Sequence, residues 1–254
     1  MVIIPARYGS VRLPGKPLLP LAGKPMIIHV VERASRAQLV GRVMVATDDD
    51  RVADAVRAHG GEAILTSSTA RSGTDRVAEA AHDLESDVVV NLQGDEPLID
   101  PATIDAAIQP LVDDSRLQIS TTSEPIDDFA DVINPNVVKV VSDLQGFALF
   151  FSRSPVPYIR PQNGGTFESE VRGDRRLLSS YRKHSGLYAY RHSFLQEFAA
   201  MEASPLEKLE ALEQLRALEN GHRIRVVKVN HRSIGVDTAE DYERVKRLIE
   251  ENTE

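Results

Sequence analysis

Three cationic side chains lie in one short loop near the start of the chain. Arg7, Arg12 and Lys16 lie within ten residues of one another in a chain whose formal net charge is −8. Gly9 and Gly15 allow the backbone to bend so that its amide groups face an anion. The loop directly follows the first apolar run, and in open α/β sheets ligands bind beyond the carboxyl ends of the strands. The segment therefore predicts a site for the phosphates of a nucleotide.

Two widespread nucleotide-binding motifs do not describe this loop. The Walker A pattern G-x-x-x-x-G-K-[ST] needs one residue fewer between its glycines and a hydroxyl after its lysine. Here five residues separate Gly9 from Gly15, and Pro17 follows Lys16, so the hydroxyl that would hold magnesium is absent. The dinucleotide fingerprint G-x-G-x-x-G is absent too, which disfavours a dehydrogenase. The alternative that stays open is a proline-rich surface connection with solvated cations.

Two aspartates are candidates for binding a metal ion. Asp95 lies in the turn QGDEP that follows the apolar run Val88–Asn91, and a carboxylate there supplies the oxygen ligands that magnesium prefers. Asp237 is the second candidate, in the segment GVDT. Asp95 can also be an ordinary polar turn residue. Asp237 can also be a helix cap, because Thr238 and Asp241 form a capping-box pattern.

Several other kinds of site are excluded by residue content. The chain has no cysteine, which excludes a disulfide framework, a thiolate nucleophile and cysteine-ligated metal centres. The seven histidines show no H-E-x-x-H pair, and no G-x-S-x-G elbow of a serine hydrolase is present. His184 and Tyr188 share one face of an apparent strand. By itself this pattern favours a core or surface histidine over a metal ligand.

The elements that must position these residues alternate along residues 1–112. Continuous apolar runs, typical of strands buried on both faces, alternate with segments whose apolar residues have helical spacing. The predicted strands are Val2–Ile4, Val43–Ala46 and Val88–Asn91, and the predicted helices are Met26–Gln38, Asp50–His59 and Thr74–Leu84. The alternation predicts an α/β fold with a doubly wound, mostly parallel sheet.

The middle of the chain has a different pattern. Strand-like runs without a full helix between them predict a mixed-sheet extension with substrate-facing loops: Val137–Val141, Phe147–Phe151 and Leu187–Tyr190. Arg160–Arg176 has no periodicity and predicts a mobile surface loop. A leucine at every third position predicts one helix that ends at Gly221, with Leu206, Leu209, Leu212, Leu215 and Leu218 as core or subunit contact. A strand, Ile224–Val229, and a terminal helix, Thr238–Glu251, follow.

The length, charge and hydropathy of the whole chain limit its domain organisation, its partners and its location. We expect one domain over residues 1–254, with a nucleotide-binding core at 1–112, an embedded part at about 119–222 and a returning strand and helix at 223–254. The acidic net charge argues against a nucleic-acid partner. No apolar run approaches the ~20 residues of a membrane-spanning helix, and no secretory signal is visible. A cytoplasmic location without membrane association is the resulting expectation.

Taken in order, these motifs resemble one enzyme family. The segments that carry the resemblance are IPARYGSVRLPGKPL from Ile4, ATD from Ala46, SGTDR from Ser72, NLQGDEP from Asn91, FSR from Phe151 and GVDT from Gly235. They follow one another as in 3-deoxy-manno-octulosonate cytidylyltransferases, the CMP-Kdo synthetases, essentially from end to end. The first segment and QGDEP are the most specific.

The resemblance implies that CTP and 3-deoxy-D-manno-octulosonate (Kdo) react to CMP-Kdo and pyrophosphate, with Mg²⁺, in a homodimer that serves lipopolysaccharide assembly. It implies that the nucleotide is bound by Arg7, Ser10, Arg12, Lys16, Ser72, Gly73, Thr74, Arg76 and Gln93. It implies that magnesium is held by Asp95 and Asp237, which act catalytically together with Arg7 and Lys16. The sugar acid is expected near Arg153, His184, Tyr188, Glu213 and Gln214.

The implied chemistry is attack of the anomeric hydroxyl of the sugar on the α-phosphorus of CTP. Such a transfer asks mainly for positioning and for neutralisation of charge. No side chain is an obvious general base, so lowering of the pKa of the attacking hydroxyl is assigned to magnesium between Asp95 and Asp237. Arg153 is expected to pair bidentately with the sugar carboxylate.

One segment departs from the family pattern. Family members often have an acidic residue and a histidine shortly before Ser-Gly-Thr, whereas this chain has Thr69-Ala70-Arg71. The departure keeps a Kdo variant such as 8-amino-Kdo, or another ulosonic acid, open as the true substrate. A non-catalytic nucleotide-binding module would be expected to lose its carboxylates, and both Asp95 and Asp237 are present.

Overall fold

The secondary structure is described by a computed structural model for residues 1–9, 13–162, 164–232 and 234–251. The strands are β1 (Val2–Pro5), β2 (Pro20–Leu21), β3 (Lys24–Pro25), β4 (Val43–Thr47), β5 (Glu62–Leu65), β6 (Val88–Asn91), β7 (Ile119–Pro125), β8 (Lys139–Ser142), β9 (Ala148–Ser152), β10 (Arg182–Arg191) and β11 (Ile224–Lys228). The helices are α1 (Met26–Ala34), α2 (Asp50–Ala58), α3 (Gly73–Ala81), α4 (Pro101–Asp113), α5 (Phe129–Ile133), α6 (Phe167–Gly173), α7 (Arg175–Leu178), α8 (His192–Ala200), α9 (Pro205–Glu210), α10 (Leu215–Glu219) and α11 (Ala239–Glu251).

The main sheet has the strand order β11-β7-β10-β6-β1-β4-β5. The pairs β6–β1, β1–β4, β4–β5 and β11–β7 are parallel, and β10 runs antiparallel to both of its neighbours, β6 and β7. Strands β8 and β9 extend this sheet from β10. The predicted α/β fold, a mostly parallel sheet with a mixed extension, is confirmed, and β10 is the strand that joins its two parts.

Both faces of the sheet are covered, because alternate residues of each buried strand point to opposite sides. Val2 and Ile4 of β1 pack with α1, α2 and α4 in one cluster of buried residues. Ile3, between them, packs with α3 and α8 in another. This arrangement explains why β1 reads as an unbroken apolar run rather than an alternating one.

The predicted single leucine helix is wrong. The chain forms α9 and α10 with a break at Ala211, which has a left-handed backbone at φ 50° and ψ 50°. A leucine at every third position drifts by about 60° per step around a helix of 3.6 residues per turn, so five of them cannot all face one side. Leu212 and Leu215 are buried, whereas Leu209 is 81% exposed.

The predicted mobile loop at Arg160–Arg176 is also wrong in part. It contains α6, which begins at a capping box between Thr166 and Ser169, and the start of α7, which is capped by Asp174. These helices are only one or two turns long, so they leave little periodicity in the sequence. Smaller differences lie at element ends: α1 stops at Ala34 rather than Gln38.

The terminal helix α11 packs beside the N-terminal loop. Val245 and Ile249 of α11 share a small cluster with Leu21 of β2, Met26 and Val236. The Tyr242 hydroxyl donates to the carbonyl of Pro20 at 2.5 Å. Among the described residues, no helix is long and apolar enough to cross a membrane.

Candidate active site

A cavity of about 410 Å³ lies at the carboxyl ends of β1 and β6. Four segments meet there: the chain leaving β1, the QGDEP turn that leaves β6, the start of α3 and the segment that contains Asp237. Its lining is Pro5, Ala6, Arg7, Lys16, Pro17, Ala70, Arg71, Ser72, Gly73, Arg76, Gln93, Gly94, Asp95 and Asp237. Parallel strands bring their carboxyl ends to one edge, and ligands bind at that edge, so sheet topology gathers these residues.

The basic loop closes on itself before it reaches Lys16. The amide of Gly15 donates to the carbonyl of Tyr8 at 3.2 Å. Gly15 has φ +69°, and a β-carbon there would lie 3.2 Å from the Tyr8 hydroxyl oxygen. Arg51 of α2 lies 3.5 Å over the Tyr8 ring. The predicted phosphate ligands Ser10 and Arg12 lie outside the described residues, whereas Arg7 is exposed at the cavity.

Lys16 joins the two aspartates that the sequence singles out. Its ammonium donates to Asp95 Oδ2 at 2.6 Å and to Asp237 Oδ1 at 3.0 Å, and its side chain is only 14% exposed. The amide of Val236 donates to the carbonyl of Asp95 at 2.9 Å, so main chain as well as charge connects the segments. Three charged residues distant in sequence thus form one group in the cavity wall.

Two residues that follow Asp237, and not Asp237 itself, cap α11. The Thr238 hydroxyl accepts from the amide of Asp241 at 3.2 Å, and Asp241 Oδ2 accepts from the amide of Thr238 at 2.9 Å. Thr238 and Asp241 therefore form the capping box of α11. The carboxylate of Asp237 is left to face Lys16 and the cavity.

The start of α3 forms the opposite wall of the cavity. Ser72 caps α3 by accepting from the amide of Asp75, and its hydroxyl donates to Glu213 Oε1 at 2.8 Å. The Thr74 hydroxyl donates to Glu213 Oε2 at 2.5 Å and accepts from the Asn91 amide at 3.1 Å. Both oxygens of Glu213 are thus fixed on α3, so the expected sugar-side residue Glu213 is tied to the expected nucleotide segment.

Arg76, another expected nucleotide ligand, is largely committed to protein partners. Its guanidinium donates to Asp48 Oδ2 at 2.9 Å and to the Thr66 hydroxyl at 2.5 Å, and its side chain is 6% exposed. Arg76 therefore lines the cavity with a guanidinium that its protein partners hold in place. Gln93 lines the cavity directly.

The other residues expected at the sugar lie outside the lining of the cavity. Within the described part of the chain, Arg153, His184, Tyr188 and Gln214 do not line it. His184 packs between Phe151 and Tyr188, with ring centroids 5.0 and 5.1 Å away. Burial, with a smaller contribution from Lys183, lowers the pKa of His184 to about 3. The half-buried imidazole is therefore neutral near pH 7, and its Nε2 lies 3.0 Å from the Thr121 hydroxyl.

Three buried polar atoms near Glu213 have no hydrogen-bond partner among the described residues. They are the Tyr188 hydroxyl, the Gln214 side-chain nitrogen Nε2 and Asn91 Oδ1. Tyr188 and Asn91 are register partners across the β10–β6 pair. Buried polar groups are nearly always hydrogen-bonded, so an unpaired group of donors and acceptors next to the cavity is suited to a polyhydroxylated ligand.

Sequence reasoning missed two residues of this site. Glu96 is buried next to Asp95, and burial, together with the charges of Asp95 and Glu124, raises its pKa to about 8. Arg71 lines the cavity and is held by Asp75 at 2.7 Å. The QGDEP motif contains Glu96, but burial of one side chain in a turn cannot be read from its sequence.

The chain is similar to known proteins over nearly its whole length. The family model of cytidylyltransferases matches residues 1–224. Proteins from Geobacter sulfurreducens and Geobacter metallireducens, both named 3-deoxy-manno-octulosonate cytidylyltransferase, are 54% and 55% identical. Each alignment covers 96% of this chain, and 96% and 94% of the relatives.

A solved structure extends the similarity to the fold. It is the CMP:2-keto-3-deoxy-manno-octonic acid synthetase complexed with CTP, with a TM-score of 0.88 and 45% identity. The match covers 99% of this chain and 98% of that one. Such identity over nearly the whole length shows common ancestry as well as a common fold. The chain therefore belongs to the cytidylyltransferase family, among the 3-deoxy-manno-octulosonate cytidylyltransferases.

Proposed function

We propose that this protein transfers the cytidylyl group of CTP to Kdo, forming CMP-Kdo and pyrophosphate for lipopolysaccharide biosynthesis. The observation that carries the proposal is the Asp95–Lys16–Asp237 group in the wall of a cavity at the carboxyl ends of β1 and β6. Two further observations support it: relatives of this chain carry that activity in their names, and a structure similar to this one contains CTP.

We propose that Asp95 and Asp237 hold Mg²⁺. Their oxygens lie 2.6 and 3.0 Å from one ammonium nitrogen, so both can reach a single small cation. Within the described residues no third His, Cys, Asp or Glu joins them, which suits an ion usually bound by one or two carboxylates, waters and substrate phosphates. When bound, the ion neutralises phosphate charge and lowers the pKa of the attacking sugar hydroxyl.

The side chains of the cavity position the reactants. Arg7 and Lys16 bind the triphosphate, and when phosphates arrive Lys16 exchanges part of its contact with the aspartates for them. The free amides at the start of α3 favour negative charge there. The oxygen of the sugar hydroxyl forms a bond to the α-phosphorus while the bond from that phosphorus to the bridging oxygen breaks. The hydroxyl proton passes to solvent, and pyrophosphate leaves with the electron pair of the broken bond.

The sugar acid extends from the cavity toward Glu213. The unpaired Tyr188 hydroxyl and Gln214 Nε2 supply hydrogen bonds to its hydroxyl groups, and Glu213 accepts others. Tyr188 remains a protonated donor, because burial raises its pKa well above the ordinary value. His184 acts by packing against Tyr188 rather than by transferring a proton.

We further propose that the chain is a single cytoplasmic domain with the three parts expected from its sequence, and that it forms a homodimer. Exposed leucines on neighbouring elements support the dimer: Leu149 of β9 is 63% exposed and Leu209 of α9 is 81% exposed. Apolar side chains that gather at a surface are typical of subunit contacts.

The decisive experiment is pyrophosphate release from CTP with Kdo, 8-amino-Kdo and neuraminate, with and without Mg²⁺. We expect release with Kdo, and none with neuraminate or after chelation of the metal. Absence of release with all three sugars would overturn the enzymatic proposal.

An 8-amino sugar is the second candidate, because Ala70 and Arg71 line the cavity at the place where the family pattern differs. A higher kcat/KM with 8-amino-Kdo than with Kdo would identify it as the substrate. Arg71→Ala should then change the ratio of the two kcat/KM values, whereas Arg57→Ala, an exposed arginine of α2, should leave it unchanged.

A further inference from the structure

The guanidinium of Arg153, which follows β9, donates hydrogen bonds to main-chain carbonyls. Nε donates to the carbonyl of Glu210 at 2.6 Å, Nη1 to that of Pro135 at 2.9 Å and Nη2 to that of Ala211 at 3.2 Å. The guanidinium fork thus reaches three acceptors from two separate segments in a rigid planar geometry, which the compact ammonium of a lysine does not reproduce.

Glu210 completes the same clamp from the opposite side. Its carboxylate accepts from the backbone amide of Arg153 at 2.9 Å and from the Ser152 hydroxyl at 2.7 Å. The fully buried Lys139 donates to the carbonyl of Arg153 at 2.6 Å. The end of α9 is therefore fastened to β9 through side chain and main chain together.

The clamp acts on a turn with an unfavourable backbone. Ala211 has φ 50° and ψ 50°, a left-handed conformation that L-residues other than glycine and asparagine rarely adopt. This conformation breaks the leucine-rich stretch into α9 and α10. It also sets the direction in which the next residues, Glu213 and Gln214, leave the turn.

Glu213 transmits the position of this turn to the cavity. Its two oxygens accept from the hydroxyls of Ser72 and Thr74, and Ser72 lines the cavity. Gln214, the next residue, holds the buried unpaired Nε2. A shift of the turn would therefore move groups on the nucleotide side and on the sugar side together.

We propose that Arg153 is a positioning residue that holds the 210–214 turn, and so Glu213 and Gln214, in place, instead of pairing with the carboxylate of the sugar acid. This inference rests on the proposed function. It replaces the role that the family resemblance implies for Arg153 with one drawn from its contacts.

The first test compares kinetic constants of Arg153→Lys with those of the native enzyme. Because a displaced turn disturbs both substrates, we expect KM to rise for CTP and for Kdo alike, each by about 10-fold, since small misplacements have large effects. The preference of the enzyme for Kdo over Kdo carboxamide should stay at its native value. A rise in KM for Kdo alone, with loss of that preference, would show a direct contact with the carboxylate and overturn the proposal.

The second test uses the left-handed residue. Ala211→Gly, which tolerates positive φ, should keep near-native constants, whereas Ala211→Val should reproduce the effect of Arg153→Lys. Combining Arg153→Lys with Ala211→Val should cost no more than the larger single change, because both act on one turn. If the increases in KM of the two single variants multiplied in the double variant, the two residues would act independently. That result would contradict their acting on one turn.

The third test needs no substrate. Amide hydrogen exchange in residues 211–216 should become faster in Arg153→Lys and unchanged in Arg116→Lys, a control whose arginine is 88% exposed. If Arg153→Lys does not fold, Glu210→Gln weakens the same clamp and takes its place. If the folded variant exchanged the amide hydrogens of this turn at the native rate, the inference would be overturned. Absence of turnover by the native enzyme would overturn only the proposed function.

Discussion

Asp237 and Asp241 lie on the same short segment, yet their carboxylates have different partners. Asp241 caps α11, and Asp237 contacts Lys16. The sequence pattern GVDTAED allows either aspartate to cap, because a capping pattern does not show which carboxylate meets the helix amides. This is why the residue pattern alone favoured a cap over a metal ligand for Asp237 until the contacts were known.

The two aspartates provide a matched pair of variants. Asp237→Asn should reduce kcat/KM by at least about 100-fold and leave stability near native, since it removes a charge from the proposed magnesium site. Asp241→Asn should instead lower the free energy of unfolding by about 1 kcal/mol, the usual contribution of a cap, with little change in kcat. Urea unfolding and initial rates at varied Mg²⁺ measure both. If Asp237→Asn lowered only the stability and Asp241→Asn lowered kcat/KM, Asp237 would have no catalytic role.

His184 should make stability depend on acid pH. Its folded pKa of about 3 is far below its ordinary 6.5, so between these values the unfolded chain binds a proton that the folded chain does not. The free energy of unfolding should therefore fall as the pH drops from about 6.5 toward 3. His184→Phe should show a smaller fall in urea unfolding at stepped pH. Equal slopes for both proteins would contradict burial of a neutral His184, and exposed His59→Gln is the control.

At the scale of elements, the sequence was most informative where periodicity is long and uniform. The strands β1, β4 and β6 were predicted because continuous apolar runs require burial on both faces. The break at Ala211 was missed, because it depends on contacts of the turn at 210–211 with Arg153, which lies 57 residues before Glu210 in the chain. The short helices α6 and α7 were missed because one or two turns show too little periodicity to separate from a loop.

Gly15, in the loop that leads from β1 to Lys16, and Gly60, which follows α2, form a matched pair of glycines. Gly15 and Gly60 both have positive φ, but only at Gly15 would an added β-carbon meet a neighbour, the Tyr8 ring. Gly60→Ala should cost about 1 kcal/mol of stability for its backbone alone. Gly15→Ala should cost more and should also raise KM for CTP, because Lys16 follows directly. Calorimetry and rate measurements at varied CTP decide this, and an unchanged KM would disconnect the loop from the nucleotide.

For the molecule as a whole, the fold class was predictable and the assembly of the site was only partly so. Parallel strands gather Arg7 and Gln93 by topology, and family resemblance pointed to Asp95 and Asp237. The depth at which Tyr188 and Gln214 lie is set by packing of α8, α10 and β10, which no local pattern encodes. Their roles at the sugar, like those of the nucleotide ligands, stay predictions.

We expect the packing of α11 to affect the Mg²⁺ requirement of the reaction. Val245 and Val236 share one cluster, and Asp237 follows Val236. Val245→Ala should lower the free energy of unfolding by about 2 kcal/mol and raise the Mg²⁺ concentration needed for half-maximal rate. Arg247→Ala, exposed on the same helix, should do neither. An unchanged metal requirement in Val245→Ala would show that the helix does not hold Asp237 in place.

The contact between Lys16 and Asp237 spans 221 residues, and this separation has a consequence for the protein during its synthesis. Lys16 and the rest of the basic loop leave the ribosome early, whereas the carboxylate of Asp237 leaves late. A partly made chain can hold the basic loop and most of the sheet and still lack one side of the group around Lys16. Catalytic competence should therefore arise in a single late step, so that nascent chains cannot consume CTP before the sheet is complete.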